Sequence, residues 1–273
     1  MSPQTLSEEE LTPQGEFSKK ERPSRFRWGW LIVTLVLISG AGYLTFWFWP
    51  QIRGLWIPAQ RSALVSEPIL TEPWLTFDIQ DPAFFQEWKE HVFEKNTAYT
   101  IEAGEDQEQA IHALSRGTSS AYFKEVNLSL SDKPVLSWEW KAVQFPSKKK
   151  NKTLASKSDN DFAARVYAVF KGHTPILSDV IQYVWDDHFP EGAFTESPYS
   201  GKVRIIVVQS GKLRTAGEWV SEKRDVAKDY ELLFGKKAHG TLLAIGVMSD
   251  ADNTGTVAEA YYRRLAIEKR KES

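Results

Sequence analysis

The pattern of apolar and polar residues divides the chain into a polar segment, one long apolar segment and a region of short alternating runs. Residues 1–27 are polar and rich in Glu, Ser and Pro, a composition typical of a disordered tail. Residues 28–52 are 25 consecutive uncharged residues, enough for a helix across the ~30 Å hydrocarbon core of a bilayer. Residues 53–73 contain spaced prolines and resemble a stiff linker. A folded domain is therefore predicted over residues 74–273.

Alternating runs within this domain predict that it is mainly β. In the segment 135–142, Leu136, Trp138 and Trp140 alternate with polar residues, as in a strand with one buried face. Further strands are predicted at 99–103, 111–114, 122–130, 162–170, 180–185, 203–209, 217–221, 242–248 and 257–268. The last run also admits a helix because it is rich in Ala and Glu. Many short strands between polar turns favour an antiparallel β-sandwich.

Two short helices are predicted beside the strands. The first covers residues 81–93, where Asp81 and the proline after it are typical of a helix start and apolar residues recur at helical spacing up to Val92. The second covers residues 225–235, from a capping Asp to a terminating Gly235.

The charges beside the apolar segment predict its orientation. Five basic residues precede it, Lys19, Lys20, Arg22, Arg25 and Arg27, whereas only Arg53 and Arg61 follow within a similar distance. By the positive-inside rule the N-terminus lies in the cytoplasm and the domain is extracytoplasmic, on the periplasmic side. The length of the apolar run and the lack of a small-x-small cleavage site favour an uncleaved single-pass anchor in the cytoplasmic membrane.

Composition excludes several classes of chemistry. The chain has no cysteine, which removes thiol catalysis, disulfides and thiolate metal sites. Its 34 basic and 36 acidic side chains give a net charge of −2, without the basic excess that a nucleic-acid binder needs. The five histidines form no pair with zinc spacing, and no phosphate-binding or dinucleotide-binding motif is present. No cofactor is therefore expected from these motifs.

Six sequence blocks follow one another in the order PVLSWEWKA, DFAARVYAVF, IQYVWDD, RIIVVQSG, EWVSEKRDVAKDYELLFG and IGVMSDADNTG. Together they resemble an uncharacterised family of bacterial envelope proteins, known only as a domain of unknown function. The resemblance covers residues 74–268 and implies a galactose-binding-like jelly roll, the architecture of many carbohydrate-binding modules. It implies no catalytic residues, so glycan binding enters only by analogy of fold.

The loop after the strand at 242–248 could hold a metal ion. Asp250, Asp252 and Thr254 offer oxygen ligands at alternate positions, and Gly255 lets the chain turn, which imitates the first half of a calcium loop. The second half differs, because Tyr261 stands where a bidentate Glu would close the site. A turn whose Asp and Asn side chains bond their own backbone explains the same residues without calcium.

A sugar-binding face is predicted from polar and aromatic residues on the strands. Asp161, Arg165, Tyr167, Trp185 and Arg204 would combine rings that cover the apolar patches of a pyranose with charges that bond its hydroxyl groups. The alternative is an internal ion pair of Asp161 with Arg165 or Arg204.

Three function classes follow for the domain. The first is a non-catalytic module that binds an envelope glycan or glycoconjugate. The second is a carbohydrate-active hydrolase that uses two carboxylates from the set Asp159, Asp161, Asp186, Asp187, Asp250 and Asp252. The third is an envelope assembly scaffold, which would expose an apolar patch. Trp138, Trp140 and Trp219 are predicted to pack in the core, and the lysines at 148–150 to be solvated.

Overall fold

Two β-sheets packed face to face make up the described part of the chain. The computed structural model describes residues 69–81, 83–104, 106–149, 153–172, 177–211 and 218–271. The predicted tail, the predicted anchor at 28–52 and most of the predicted linker lie outside these residues. Within the described ranges, no helix combines the length and the apolar character needed to cross a membrane.

Within the described residues, thirteen strands and two short α-helices form the sandwich. The strands are β1 (Thr71–Thr76), β2 (Lys89–Val92), β3 (Ala98–Ala103), β4 (Gln109–Arg116), β5 (Ser119–Ser129), β6 (Pro134–Gln144), β7 (Ala164–Phe170), β8 (Asp179–Asp186), β9 (Phe194–Ser197), β10 (Ser200–Ser210), β11 (Val220–Asp225), β12 (Thr241–Asp250) and β13 (Val257–Arg270). The helices are α1 (Phe84–Glu87) and α2 (Val226–Phe234). Each predicted strand has a counterpart, and the ambiguous run at 257–268 is a strand.

Sheet A is antiparallel and has β13 at its centre. Its strand order is β11-β6-β13-β4-β3, and β1 pairs with the second half of β13. The register between β6 and β13 shifts between Arg263 and Ala266, where Arg264 adopts a left-handed φ of 50°. This bulge divides β13 into a first half that pairs with β4 and a second half that pairs with β1.

Sheet B has the strand order β2-β5-β12-β7-β8-β10-β9. The predicted β-sandwich is confirmed and is mostly antiparallel, but β10 runs parallel to β8. After β8 the chain forms β9 at the sheet edge and returns as β10, which inserts antiparallel to β9 and next to β8. The sandwich is therefore mostly antiparallel with one parallel pair.

The core between the sheets is rich in aromatic rings. Trp138 and Trp140 of β6 meet edge to face with their centroids 5.3 Å apart, and they contact Tyr183 and Trp185 of β8 at 5.5 and 5.6 Å. A second apolar cluster, which includes Tyr167, covers the outer side of sheet B. All seven residues of β7 are consequently buried, since both faces of this strand are covered.

The second predicted helix is confirmed and the first is much shorter than predicted. Helix α2 begins at Asp225, whose carboxylate accepts from the Lys228 amide at 3.1 Å, and ends at Gly235 with a left-handed φ of 66°. The prediction of a helix up to Val92 is wrong, because α1 has four residues and the chain becomes extended at Trp88. Residues 89–92 then pair with β5, which satisfies their backbone groups.

Gly246 of β12 permits a close approach of β5. A Cβ at this position would lie 2.5 Å from Cδ1 of Phe123 and 2.9 Å from the carbonyl oxygen of Tyr122. We expect Gly246→Ala to lower the free energy of unfolding by about 1–3 kcal/mol, measured by urea denaturation. Gly201→Ala is the control, because its Cβ would meet only the flexible Glu196 carboxylate. Equal losses in both variants would contradict this account.

Candidate functional site

An acidic corner lies where the end of β12 meets the start of β7. It is formed by Asp161, Arg165, Asp250 and Asp252, and one carboxylate oxygen from each of the three Asp residues lies within 4.8 Å of the others. The corner forms because β7 and β12 are antiparallel neighbours, so the residue ahead of one strand meets the last residue of the other. Its members come from two segments about 90 residues apart.

Arg165 is buried in the corner and all its guanidinium nitrogens are bonded. Nε donates to Oδ1 of Asp250 at 2.8 Å and Nη1 donates to Oε1 of Gln182 at 2.8 Å. Nη2 donates to Oδ2 of Asp250 and to the backbone carbonyl of Asn160. Sequence reasoning anticipated an ion pair here, but with Asp161 as the partner. The structure instead pairs Arg165 with Asp250.

Asp161 holds the turn that follows β12. Its carboxylate accepts from the backbone N–H of Asn253 at 3.2 Å and of Thr254 at 2.6 Å, and from the Asn253 side-chain amide at 3.0 Å. The Thr254 hydroxyl lies 2.8 Å from the Thr256 hydroxyl. Of the three predicted metal ligands, Asp250 and Asp252 thus lie together, and Asp161 joins them where Thr254 was expected.

The negative charges of the carboxylates in the acidic corner are only partly compensated by Arg165. Burial raises the pKa of Asp250 to about 7, with a further contribution from Asp161, and Arg165 opposes this rise only in part. Burial and the charge of Asp161 also raise the pKa of Asp252. Together the three carboxylates and Arg165 carry a net formal charge of −2. A proton or a cation would relieve this charge.

Several buried oxygen atoms in the segments that form the acidic corner have no hydrogen-bond partner among the described residues. Oδ1 of Asp252, Oδ1 of Asn160 and Oδ2 of Asp159 are buried and have no hydrogen-bond partner among the described residues. Asn160 and Asp159 are only 4% and 5% exposed and directly precede Asp161. Buried polar atoms in folded proteins nearly always have partners, so the free oxygens of Asn160 and Asp252 mark this corner as unusual.

The other residues of the predicted sugar-binding face do not converge. Tyr167 lies on the outer side of sheet B, where its hydroxyl contacts the Met248 sulfur at 3.0 Å. Trp185 lies in the core between the sheets, and its indole N–H donates to the Gly211 carbonyl at 2.7 Å. Arg204 lies opposite Ile181 in the strand register, on that same core face. Its Nε donates to the Leu233 carbonyl at 3.1 Å. The five predicted residues therefore occupy both sides of sheet B.

A second acidic group serves the turn after β8. Asp186 accepts from the backbone N–H groups of His188 at 2.6 Å and Phe189 at 2.9 Å, and it forms a buried ion pair with Lys148. The expectation of a solvated lysine run is therefore wrong for Lys148, whose ammonium also lies 3.9 Å from the Phe162 ring centroid. These contacts fully explain Asp186 as a structural residue.

A row of side chains crosses the outer face of sheet A, the face turned away from sheet B. We call this set, Thr100, His112, Tyr261, Lys141 and Trp219, the aromatic row. The register pairs Thr100 with His112, His112 with Tyr261, and Tyr261 with Lys141. Trp219 directly precedes the first paired residue of β11, and its ring faces Lys141.

The rings of the row are partly exposed and are held by cations. His112 and Tyr261 stack with centroids 4.4 Å apart and planes 9° apart. The Lys141 ammonium lies 4.7 Å from the centroid of Tyr261 and 5.2 Å from that of Trp219, and the Arg263 guanidinium lies 3.9 Å from Trp219. These contacts orient the Tyr261 ring on β13 and the Trp219 ring just ahead of β11.

Polar groups surround the row. The two ring nitrogens of His112 each lie 2.8 Å from a carboxylate oxygen, one of Glu102 and one of Glu259. Hydrogen bonds from Thr100 and His112 lower the pKa of Glu102, which keeps it ionised. Burial and the charge of Glu102 raise the pKa of Tyr261, so its hydroxyl keeps its proton. The face thus offers both donors and acceptors.

Sequence reasoning missed this face. Trp219 was predicted to be core, and that prediction is wrong, whereas it is confirmed for Trp138 and Trp140. The available signal was alternation in β13, where Glu259, Tyr261 and Arg263 fall on the side opposite to small or buried residues.

Residues 86–266 match the sequence profile of DUF3047, a family described as a protein of unknown function. The chain belongs to this family. The residues matched by DUF3047 include the acidic corner and the aromatic row. A comparison with curated proteins finds no match.

This DUF3047 chain also has distant likenesses to solved structures. One is the family 11 carbohydrate-binding module of cellulase Lic26A-Cel5E of Clostridium thermocellum, with a TM-score of 0.39, 7% identity, and coverage of 75% of this chain and 97% of that one. Another is a conserved carbohydrate esterase of bacteriophage phi24B, with a TM-score of 0.39, 9% identity, and coverage of 74% and 100%. A third is a protein of unknown function with a galectin-like fold from Bacillus subtilis, with a TM-score of 0.36, 9% identity, and coverage of 74% and 100%. At such distances no activity transfers to DUF3047.

Proposed function

We propose that this chain is a membrane-anchored, extracytoplasmic module that binds a glycan without catalysis, and that the glycan lies on the outer face of sheet A. The observation that carries the proposal is the aromatic row. Its two large rings, Trp219 and Tyr261, are partly exposed on the polar side of a sheet, where no packing layer within the described residues covers them.

The rings of the row have the properties of a sugar-binding platform. A pyranose presents C–H groups on its faces and hydroxyl groups around its edge, so it pairs with an aromatic ring that is flanked by hydrogen-bonding groups. Trp219 and Tyr261 lie on either side of Lys141, so successive sugar units could each contact the exposed edge of one ring. His112 and Lys141 lie over the faces of Tyr261. The Tyr261 ring lies on strand β13, and strands position such rings more rigidly than loops do.

The groups around the rings supply the polar contacts. Lys141 has aromatic contacts but no carboxylate partner among the described residues, so its ammonium is available to a sugar hydroxyl or to an acidic sugar. Glu102 and Glu259 accept hydrogen bonds on the other side of Tyr261. Charge-assisted hydrogen bonds of this kind give orientation to a bound sugar.

The hydrolase alternative finds less support in the described residues. Asp250 is bound to Arg165, Asp161 to the turn after β12, and Asp186 to Lys148. These buried carboxylates have structural partners, whereas a glycosidase needs two carboxyl groups that face each other across the substrate. Binding without catalysis is therefore the better account.

The predicted anchor completes the proposal. An apolar helix at residues 28–52 with the basic residues on its N-terminal side would hold the domain outside the cytoplasm, close to the membrane. The linker at 53–73 would give it a limited reach from the bilayer. Envelope polysaccharides are then the glycans that the module would meet.

Glycan binding is tested with the full-length chain kept in mild detergent. We expect binding to at least one polysaccharide on an array of neutral, acidic and amino-sugar polymers from bacterial envelopes. Trp219→Ala and Tyr261→Ala should each weaken the affinity for that polysaccharide about tenfold or more, measured by isothermal titration calorimetry, because each removes one ring of the platform.

Phe194→Ala is the matched control for these variants. Phe194 is also an exposed aromatic residue, at 40%, but it lies in β9 of the other sheet. Its replacement should leave the affinity unchanged. The proposal fails if no envelope polysaccharide binds, or if Trp219→Ala and Tyr261→Ala bind as well as the unmodified chain.

A further inference from the structure

We infer that the acidic corner is a calcium site with Asp161, Asp250 and Asp252 as its carboxylate ligands. This inference is independent of glycan binding, because the corner belongs to sheet B and the aromatic row to sheet A. Three carboxylates with one guanidinium leave two negative charges. One divalent cation would make the corner formally neutral.

The spacing of the carboxylates suits a common ion. Calcium binds oxygen ligands at about 2.3–2.6 Å, so two ligands on opposite sides of one ion are about 5 Å apart at most. The three carboxylate oxygens lie within 4.8 Å of one another. Each can therefore reach the same ion.

The unpartnered oxygens are a second, separate indication of a ligand. Asn160 is only 4% exposed, and its Oδ1, like Oδ1 of Asp252, has no partner among the described residues. The Asn160 backbone carbonyl bonds the same guanidinium that bonds Asp250, which places this segment against the corner. Amide and carboxylate oxygens are common calcium ligands, and coordination would supply the contact that these atoms lack.

Asp161 holds the turn beside the corner, and the Asp252 carboxylate adds bonds to its own backbone N–H and to the Ser119 side chain. Asp161 binds the backbone of Asn253 and Thr254, so the turn keeps its shape while Oδ1 of Asp252 stays free of hydrogen bonds. The free oxygen of Asp252 is better explained as a ligand.

The donor set selects for a hard cation. The corner offers carboxylate and amide oxygens and contains no histidine or cysteine, whereas zinc prefers nitrogen and sulfur. Magnesium needs a small octahedral shell and keeps its water molecules, which a buried corner cannot readily hold. Calcium fits this combination best.

Thermal unfolding of the full-length chain in detergent tests the site, followed by circular dichroism at pH 7.5. We expect 1 mM calcium chloride to raise the Tm by roughly 5 °C relative to EDTA, and magnesium chloride to have a much smaller effect. Isothermal titration with calcium chloride should give one site per chain. An unchanged Tm together with no heat of binding would overturn the inference.

Asp252→Asn locates the site. This change keeps the shape of the side chain and removes one charge, so the variant should lose the calcium-dependent rise in Tm. In EDTA the variant should be at least as stable as the unmodified chain, because the neutral side chain at position 252 no longer repels the Asp161 carboxylate. A merely structural Asp252 would instead lower the Tm in EDTA.

Asp187→Asn is the matched control in the acidic group after β8, and it should keep the full calcium response. A calcium response that survives in Asp252→Asn would place the ion elsewhere and overturn the inference. Glycan affinity of the Asp252→Asn variant, measured separately, reports on the aromatic row and does not affect this result.

Discussion

Arg165→Met is expected to lower the free energy of unfolding by about 3–5 kcal/mol, the usual cost of removing one partner from a buried ion pair. Arg165 and Asp250 are both almost fully buried. The Arg165 guanidinium lies 4.5 Å from the centroid of the Phe162 ring. Without Arg165, the Asp250 carboxylate would keep only the Phe162 backbone N–H as a donor. Urea denaturation in EDTA measures the loss without a contribution from metal.

The loss should depend on pH in a defined direction. The pKa of Asp250 is about 7 in the folded protein, above its ordinary value of 3.8, so the folded state holds this proton more tightly than the unfolded chain. The contribution of this group to stability is full below pH 3.8 and declines as the pH rises to about 7. In Arg165→Met the pKa of Asp250 rises further above 7, so the stability lost by the variant should be constant below pH 7 and should increase as the pH rises above 7.

Arg264→Met is the control for this prediction. Arg264 also pairs with two carboxylates, Glu108 and Glu139, but its side chain is 55% exposed. Exposed ion pairs contribute less than about 1 kcal/mol, so this variant should be nearly as stable as the unmodified chain. Similar losses for both arginines would show that burial of the Arg165 pair is not the cause.

Trp185→Ala is expected to lower the free energy of unfolding by about 3–5 kcal/mol, because it opens a large cavity in the aromatic core. Trp185 is fully buried, lies 5.6 Å from Trp140 and 6.4 Å from Phe145, and donates to the Gly211 carbonyl. Urea denaturation followed by far-ultraviolet circular dichroism measures the loss without depending on tryptophan fluorescence.

Trp219→Ala is the matched control, since it removes the same side chain from the outer face of sheet A. It should cost about 1 kcal/mol or less while weakening glycan binding. The opposite outcome, a stable Trp185→Ala variant with reduced glycan binding, would restore Trp185 as the ligand-binding residue that the sequence predicted.

The strands could be predicted from the sequence because their period of two is a local property. Alternation in β6 and β13 follows directly from one side facing the core. Alternation did not indicate the outcome for the predicted sugar-binding face. Both sides of β7 and β8 are buried, and the sequences of these strands do not reveal that the second side is covered. Charged Arg165 therefore looked exposed, although a partner 85 residues away buries it.

Long-range pairing limited the prediction of the candidate site. Asp161 reaches the turn after β12 only because β7 and β12 are neighbours in sheet B, and no local pattern encodes that order. The helix predicted up to Val92 failed for a related reason. Residues 89–92 gain backbone partners from β5, and that gain outweighs their local helical spacing.

The pairing of β1 with β13 brings the two ends of the sandwich together. Thr71 pairs with Arg270, and the Lys271 backbone N–H donates to the Leu70 carbonyl at 2.9 Å. The backbone is therefore nearly a closed ring, and a few added residues could join position 271 to position 70. A circularly permuted chain, opened in the turn between two other strands, should fold into the same sandwich.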